Sequence, residues 1–210
     1  MKPYRLFISA RSPFARRIRL ALQRLQVEVE VESLNVFEPP AALFAANPLG
    51  LVPVLEILGA SQGFPRFIMD SGILLEYLHE VHGQKIWPVD LVERTQVRTA
   101  STLAEGVMSN TVAHFLETQR SHPDATWFAD YSGALTRTLA LIQVQDLSVM
   151  PWVDASHELT QAGWDLLNAW NYLELRTPVE DAASKYPQLK AFFDKYENLP
   201  EMAATAPPPA

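Results

Sequence analysis

Ser9-Ala10-Arg11-Ser12-Pro13-Phe14-Ala15-Arg16-Arg17-Ile18-Arg19-Leu20 is the stretch from which the fold of this chain is read. The short apolar run before it, residues 4–8, reads as a first strand. Pro13 suits a first helical position, where its missing N–H removes no hydrogen bond. Ser12 then falls at the N-cap, the place a hydroxyl prefers. Phe14, Ile18, Leu22 and Leu25 recur at helical spacing and predict an amphipathic helix over residues 13–26. The product is a strand, a tight loop and a helix start that sets a serine hydroxyl beside free backbone N–H groups. Those groups and the helix dipole favour an anion there. Taken alone, the Ser-Pro pair reads first as a plain helix cap.

The 210 residues suffice for one large domain or two small ones with real cores. A hydrophobic content of 48% and 20% charged residues describe an ordinary soluble globular protein. The net charge of −7 argues against nucleic acid as a partner. Lys2 to Arg24 nevertheless carries seven basic residues and no acid, either a solvated basic helix face or an anion-attracting mouth. No cysteine occurs, which excludes disulfides, cysteine metal sites and protein-thiol chemistry. The histidines (His79, His82, His114, His122, His157) include no metal-type pair, so no metal is expected. His79 and His82 read as polar residues at a helix end. Without a signal peptide or membrane-spanning run, no membrane partner and a cytoplasmic location are expected.

Residues 27–32 alternate Val and Glu strictly, as a strand with one wet face does, and glutamates suit a sheet edge. Asn47-Pro48-Leu49-Gly50 marks a turn, and residues 52–58 form a strand pattern interrupted by Pro53. Such a proline means an edge, a bulge or a cis peptide. After a short strand at residues 64–69, Asp70-Ser71 opens a helix carrying Ile73, Leu74, Tyr77, Leu78 and Val81. This is a second helix start able to seat an anion, or simply a capping pair. Helical stretches are expected at residues 90–120, 131–147, 159–175 and 186–197, with no later strand. The Pro-rich tail from residue 203 should be loose. The organisation is βαβ, then ββα, then all-helical. The expected domains are residues 1–81 and 89–210, joined by a linker at 82–88.

Three motifs in this order resemble the soluble, cytosolic-type glutathione S-transferase family with a serine-type active site. Ser12-Pro13-Phe14-x-x-Arg17-x-Arg19 is similar to its active-site helix start, Asn47-Pro48-x-Gly50-x-Val52-Pro53-Val54-Leu55 to its cis-proline loop, and Asp70-Ser71-x-x-Leu74-x-x-Tyr77-Leu78 to its γ-glutamyl-binding turn. The resemblance implies an α+β two-domain fold, a thioredoxin-like N-terminal domain followed by an all-α domain, and a homodimer. It implies glutathione as co-substrate, whose thiolate attacks a small hydrophobic electrophile in a detoxifying conjugation. Phe14, Leu51, Val52, Pro53, Asp70 and Ser71 would surround glutathione. The Val52 backbone would pair with its cysteinyl part, Asp70 would take its amine, and Ser71 with the helix N-terminus its carboxylate. Ser12 would donate to the sulfur and lower the thiol pKa, with Ser9 and Tyr4 as alternatives.

Departures from the family pattern accompany the resemblance. Leu51 stands where Lys or Gln often meets the glycyl carboxylate, and residues 37–45 lack the lysine that often helps. Arg11 is a possible substitute. Thr160 keeps a helix cap, but Gly163 replaces the acid that would close the capping box, at a cost of order 1 kcal/mol. Phe14, Val107 and Met108 are candidate walls of an electrophile pocket, or ordinary core. Trp127, Trp152, Trp164 and Trp170 read as core or interface. Two other functions suit the same scaffold: a glutathione-dependent isomerase or peroxidase, and a non-catalytic interaction or stress-response protein.

Overall fold

Four strands, β1 (Tyr4–Ile8), β2 (Val29–Ser33), β3 (Val54–Ile57) and β4 (Phe67–Met69), form one sheet in the order β2-β1-β3-β4. The computed structural model describes residues 3–61 and 63–209; Lys2, the first of the basic run, lies outside the described residues. β1 and β2 are parallel, and α1 (Pro13–Arg24) connects them. β3 runs antiparallel to both β1 and β4. The short α2 (Ala41–Ala46) lies between β2 and β3 in sequence, and α3 (Ser71–Val81) follows β4. This βαβ–ββα sheet is the thioredoxin-like arrangement expected. The chain divides into two compact units, one of residues 1–86 with 200–208 and one built around residues 87–199.

The sheet of the first unit is held by apolar residues aligned across strands. Leu6 pairs with Leu55 and Leu55 with Ile68, and all three are buried. Fully burying one such side chain stabilises the fold by about 1.5–3 kcal/mol. β2 is an edge, as its glutamates suggest, but it begins at Val29, and Val31 is 46% exposed, so neither of its faces is fully buried. Its Glu30 pairs across the sheet while its side chain stays half-exposed. Arg5 stands opposite both Glu30 and Glu56 in the register and contacts their carboxylates at 3.1 and 3.4 Å. Arg66 closes the ladder on the buried Glu56. Opposite charges placed directly across strands reinforce the pairing.

The basic run is neither a solvated face nor a simple anion mouth. Arg16 and Arg17 are buried. Arg16 donates from Nη2 to the Met202 carbonyl (3.1 Å) and from Nε to Thr205 Oγ1 (3.3 Å), while Arg19 donates to the carbonyls of Ala204 and Thr205. Burial, then the neighbouring Arg19, pulls the Arg16 guanidinium down to about 10, still charged at neutral pH. Residues 200–205, where the tail expected to be loose begins, are instead held: α9 (Pro200–Ala204) belongs to the first unit, with Met202 and Thr205 buried. These carbonyls terminate a short helix, where cations are favoured. Composition alone could not show that a Pro-rich tail has donors waiting for it.

The second unit is helical: α4 (Leu91–Thr118), α5 (Ala125–Gln143), α6 (Gln161–Arg176), α7 (Ala182–Lys185) and α8 (Pro187–Tyr196). α5 starts six residues earlier than its apolar spacing predicts, because Asp124 caps it through Thr126 N (2.7 Å). The buried Glu117 in turn fixes Asp124 N at 2.7 Å. α6 is the buried helix, and its Asp165 carboxylate accepts from Ser101 Oγ on α4 (2.6 Å) and Gln161 Nε2 (2.9 Å). Trp152, Trp164 and Trp170 are core; Trp127 is half-exposed and stacks on Tyr131. Thr160 caps α6 through Gly163 N. Gly163 is not simply a lost capping residue. A Cβ there would collide with the Trp152 carbonyl oxygen and approach Leu159 Cδ2 to 2.9 Å.

Completing the capping box with Gly163→Asp therefore destabilises the protein, by about 1–3 kcal/mol of steric conflict, despite the restored helix-start carboxylate. Urea denaturation of the two proteins measures the sign directly; a stabilised variant would contradict the packing argument.

Candidate functional site

The sheet register assembles the site. β1 meets β3 at Phe7↔Val54, and β3 meets β4 at Val54↔Met69. Beyond these pairs the three segments leave the sheet: β1 runs on into Ser9, β3 is preceded by the cis Val52–Pro53 peptide, and β4 is followed by Asp70 and α3. The end of β1, the start of β3 and the end of β4 thus lie along one edge of the sheet. The parallel strand β2 also finishes there, with Leu34 N donating to the Ile8 carbonyl at 2.7 Å. Chain segments carrying Ser12, Val52–Pro53 and Asp70–Ser71, distant in sequence, leave the sheet at the same end.

Ser12 is the N-cap of α1. Its Oγ accepts from Ala15 N (3.2 Å), and its own N–H donates to the Ser9 carbonyl (2.9 Å). A hydroxyl that accepts still has a hydrogen to donate, so capping and donation to an anion are compatible. Phe14, in the first turn, is half-buried. Pro53 is buried behind a cis Val52–Pro53 peptide, Leu51 is 61% exposed, and Val52 packs against the cluster of Phe7, Leu43, Ala46 and Val54.

Asp70 caps α3, its Oδ1 accepting from Gly72 N (2.8 Å) and Ile73 N (3.1 Å) while the residue stays exposed. Its backbone sits at φ 74°, a region a non-glycine residue rarely adopts and one that costs of order 1–3 kcal/mol. Ser71 beside it is buried, and its Oγ accepts from Arg17 Nη1 at 3.2 Å. Arg17 thereby joins α1 to the start of α3 beneath the two capping residues. The sequence reading gave Arg17 no separate role. The available signal was its position: it lies between Pro13 and Ala21 on the buried stripe of α1, where a cation needs a partner.

Of the two alternative hydroxyls, Ser9 lies at the same end of the sheet and Tyr4 at the other. Tyr4 is at the far end of β1, buried, with its hydroxyl 3.3 Å from both Tyr77 Oη and His82 Nε2; burial, then Tyr77, raises its pKa well above the usual phenol range. Ser9 is half-exposed and gives its carbonyl to Ser12 N. His79 is buried, with Nδ1 accepting from Ile86 N (3.3 Å). Val107 and Met108 are fully buried in the second unit, Met108 under Asn168, and pack as core there. Among the described residues no group of three or more acidic or histidine side chains could hold a metal, and no helix is long and apolar enough to cross a membrane. The sheet edge can therefore seat a ligand with anionic ends through two helix N-termini and an ammonium through Asp70.

Residues 6–85 match the family model for the glutathione S-transferase N-terminal domain. A segment of 83 residues is 41% identical to glutathione S-transferase omega-1 of Sus scrofa, covering 39% of this chain and 32% of that protein; the likeness thus spans about a third of that relative's length. Two solved structures resemble the chain over nearly its whole length. One is a glutathione S-transferase of Methylobacterium radiotolerans in complex with glutathione sulfonate, at 25% identity, with 99% of this chain and 95% of that one covered and a TM-score of 0.85. The other is a glutathione S-transferase of Methylobacillus flagellatus with glutathione bound, at 26% identity, with 98% and 100% covered and a TM-score of 0.85.

Arg17→Met removes the buried donor to Ser71 and is expected to destabilise the protein by about 1.5–3 kcal/mol, with Arg17→Lys recovering part of it. Guanidinium denaturation of both variants checks this; equal stabilities for wild type and Arg17→Met would count against it. His82 gives a second expectation. Burial, then Lys85, holds its pKa below the usual imidazole value, and burial does the same to His114. The unfolded chain then takes up protons that the native state refuses. Stability is fully present above about pH 6.5 and declines as pH falls below it. Thermal unfolding at about pH 7.5 and 5.5 should show this decline, smaller in the His82→Gln/His114→Gln double variant.

Proposed function

We propose that this protein is a glutathione transferase. The carrying observation is the shared sheet edge, where Ser12, Val52–Pro53 and Asp70–Ser71 leave three strands side by side. The N-terminal family match and the glutathione-bound relatives support the same reading.

Glutathione brings two carboxylates, an amine and a thiol that must ionise before it attacks. Its γ-glutamyl end lies at the start of α3, the amine on Asp70 and the carboxylate on Ser71 and the backbone N–H groups there. Its cysteinyl part runs beside Val52 as an added strand would, with Pro53 shaping the loop and Phe14 and Leu51 flanking it. The Ser12 hydroxyl, already accepting from Ala15 N, turns its hydrogen to the sulfur. A donor to the charged form, helped by the dipole of α1, lowers the thiol pKa from its ordinary value of about 8.5. A shift of two units corresponds to about 2.7 kcal/mol, within reach of one good donor plus a helix terminus.

With the thiol proton released to solvent, the thiolate attacks an electrophilic carbon of a small hydrophobic substrate, forming a C–S bond as the bond to the leaving group breaks and that group departs with the electron pair. Holding both reactants together replaces a bimolecular encounter, and no proton relay is needed. The reading extends, on the family resemblance, to a homodimer acting in the cytoplasm. An isomerase or peroxidase would use the same thiolate. A non-catalytic interaction protein would bind glutathione without shifting its thiol.

The test follows thiolate absorbance of bound glutathione against pH. Ser12→Ala should still bind within about threefold while the bound thiol pKa rises by about two units. Because Ser12 also caps α1, Ser12→Gly serves as the control: as a cap it costs only a few tenths of a kcal/mol, yet it too lacks the donor. A wild-type thiol pKa equal to that of free glutathione would favour the non-catalytic reading.

A further inference from the structure

Arg176, the last residue of α6, is held by aromatic rings instead of by an acid. Its guanidinium carbon lies 3.6 Å from the centroid of the Phe115 ring on α4 and 5.4 Å from that of Tyr172, one turn earlier on α6. Its Nε donates to Tyr172 Oη at 3.2 Å. Among the described residues no carboxylate lies within ion-pair distance of Arg176, and neither of its terminal nitrogens makes a hydrogen bond. The acid nearest to it along α6 is directed elsewhere: Glu174 interacts with Trp170 and with Lys190, Asp194 and Glu197 of α8 and its cap. Stacking on an aromatic face steadies a guanidinium. It leaves unused the Nη1–Nη2 fork, which is the part that reads a carboxylate.

Tyr172 supplies a second donor beside that fork. The residue is 5% exposed, and its oxygen is occupied by Arg176. A phenol that accepts still has its hydrogen to give, and among the described residues nothing takes it. Burial raises the Tyr172 pKa by more than the adjoining Arg176 lowers it, so the hydroxyl keeps that hydrogen at neutral pH. Phe115 is only half-buried, which puts apolar surface beside both donors, and Val112 continues it one turn earlier on α4. A positive fork and a hydroxyl at the margin of apolar surface match an oxyanion carried on an apolar body. The fork is planar and already immobilised, so a carboxylate meets it with little further ordering. The geometry points to a second ligand site, formed entirely within the helical unit, that takes an organic carboxylate on Arg176 and Tyr172. This site does not depend on the thiol chemistry proposed above.

The experiment titrates the full chain calorimetrically with benzoate and with benzamide, its uncharged counterpart, at about 50 mM ionic strength. Benzoate should bind about tenfold tighter than benzamide or better, and Arg176→Gln should abolish that difference. Tyr172→Phe should weaken benzoate binding by about threefold to tenfold. Arg176→Lys keeps the charge and the contact with Phe115 but loses the fork. Its affinity for benzoate should fall between those of wild type and Arg176→Gln, and it carries the test if Arg176→Gln does not fold. Equal binding of benzoate and benzamide, no binding of benzoate up to about 20 mM, or benzoate binding unchanged in both Arg176 variants overturns the inference. So does displacement of benzoate by inorganic phosphate at equal concentration, which would leave a simple anion site with no selection for an organic ligand.

Discussion

Leu6, Leu55 and Ile68 lie side by side across β1, β3 and β4, and the register that buries them fixes where every other part of the first unit can be. A slip of one residue in either pairing would turn these side chains to the opposite face and bring Glu56 and its neighbours into their place. Such an exchange would forfeit about 1.5–3 kcal/mol for each buried aliphatic group. The register is therefore strongly specified, and it carries the site with it. Ser12, Val52 and Ser71 lie at the same end of the sheet because they sit a few residues beyond strand positions that cannot shift.

The arginines of α1 show how one amphipathic helix can serve two other parts of the chain. Arg17 reaches the start of α3 through Ser71, and Arg16 and Arg19 hold the carbonyls at the end of α9. Buried cations are tolerated where acceptors are supplied, here by a hydroxyl and by helix-terminal carbonyls. The same groups tie both the start of α3 and residues 202–205 to α1. Loosening α1 would be felt at both places.

Polarity is unevenly distributed along the sheet edge. Its β4 side offers a carboxylate, a buried serine and a helix N-terminus, whereas the α2 side offers phenylalanine and leucine on a turn locked by Asn47.

Much of this was legible in the sequence because the signals are local. Residues 9–20 carry a strand end, an N-cap serine, a proline at the first helical position and apolar residues at helical spacing, each expressed within a few residues. Asp70 and Ser71 announce a helix start in the same way, and alternating Val and Glu announce an edge. Where local signals were weak, boundaries moved: α5 begins at Ala125 because Asp124 is fixed by Glu117, a contact across the loop between α4 and α5. Only the tertiary structure decided the partners. That Arg17 meets Ser71, that Arg16 meets Met202 and Thr205, and that Gly163 lies against the Trp152 carbonyl are encounters between separate elements with no periodic trace in sequence. Periodicity tells which face of an element is buried; what it is buried against depends on how the elements pack.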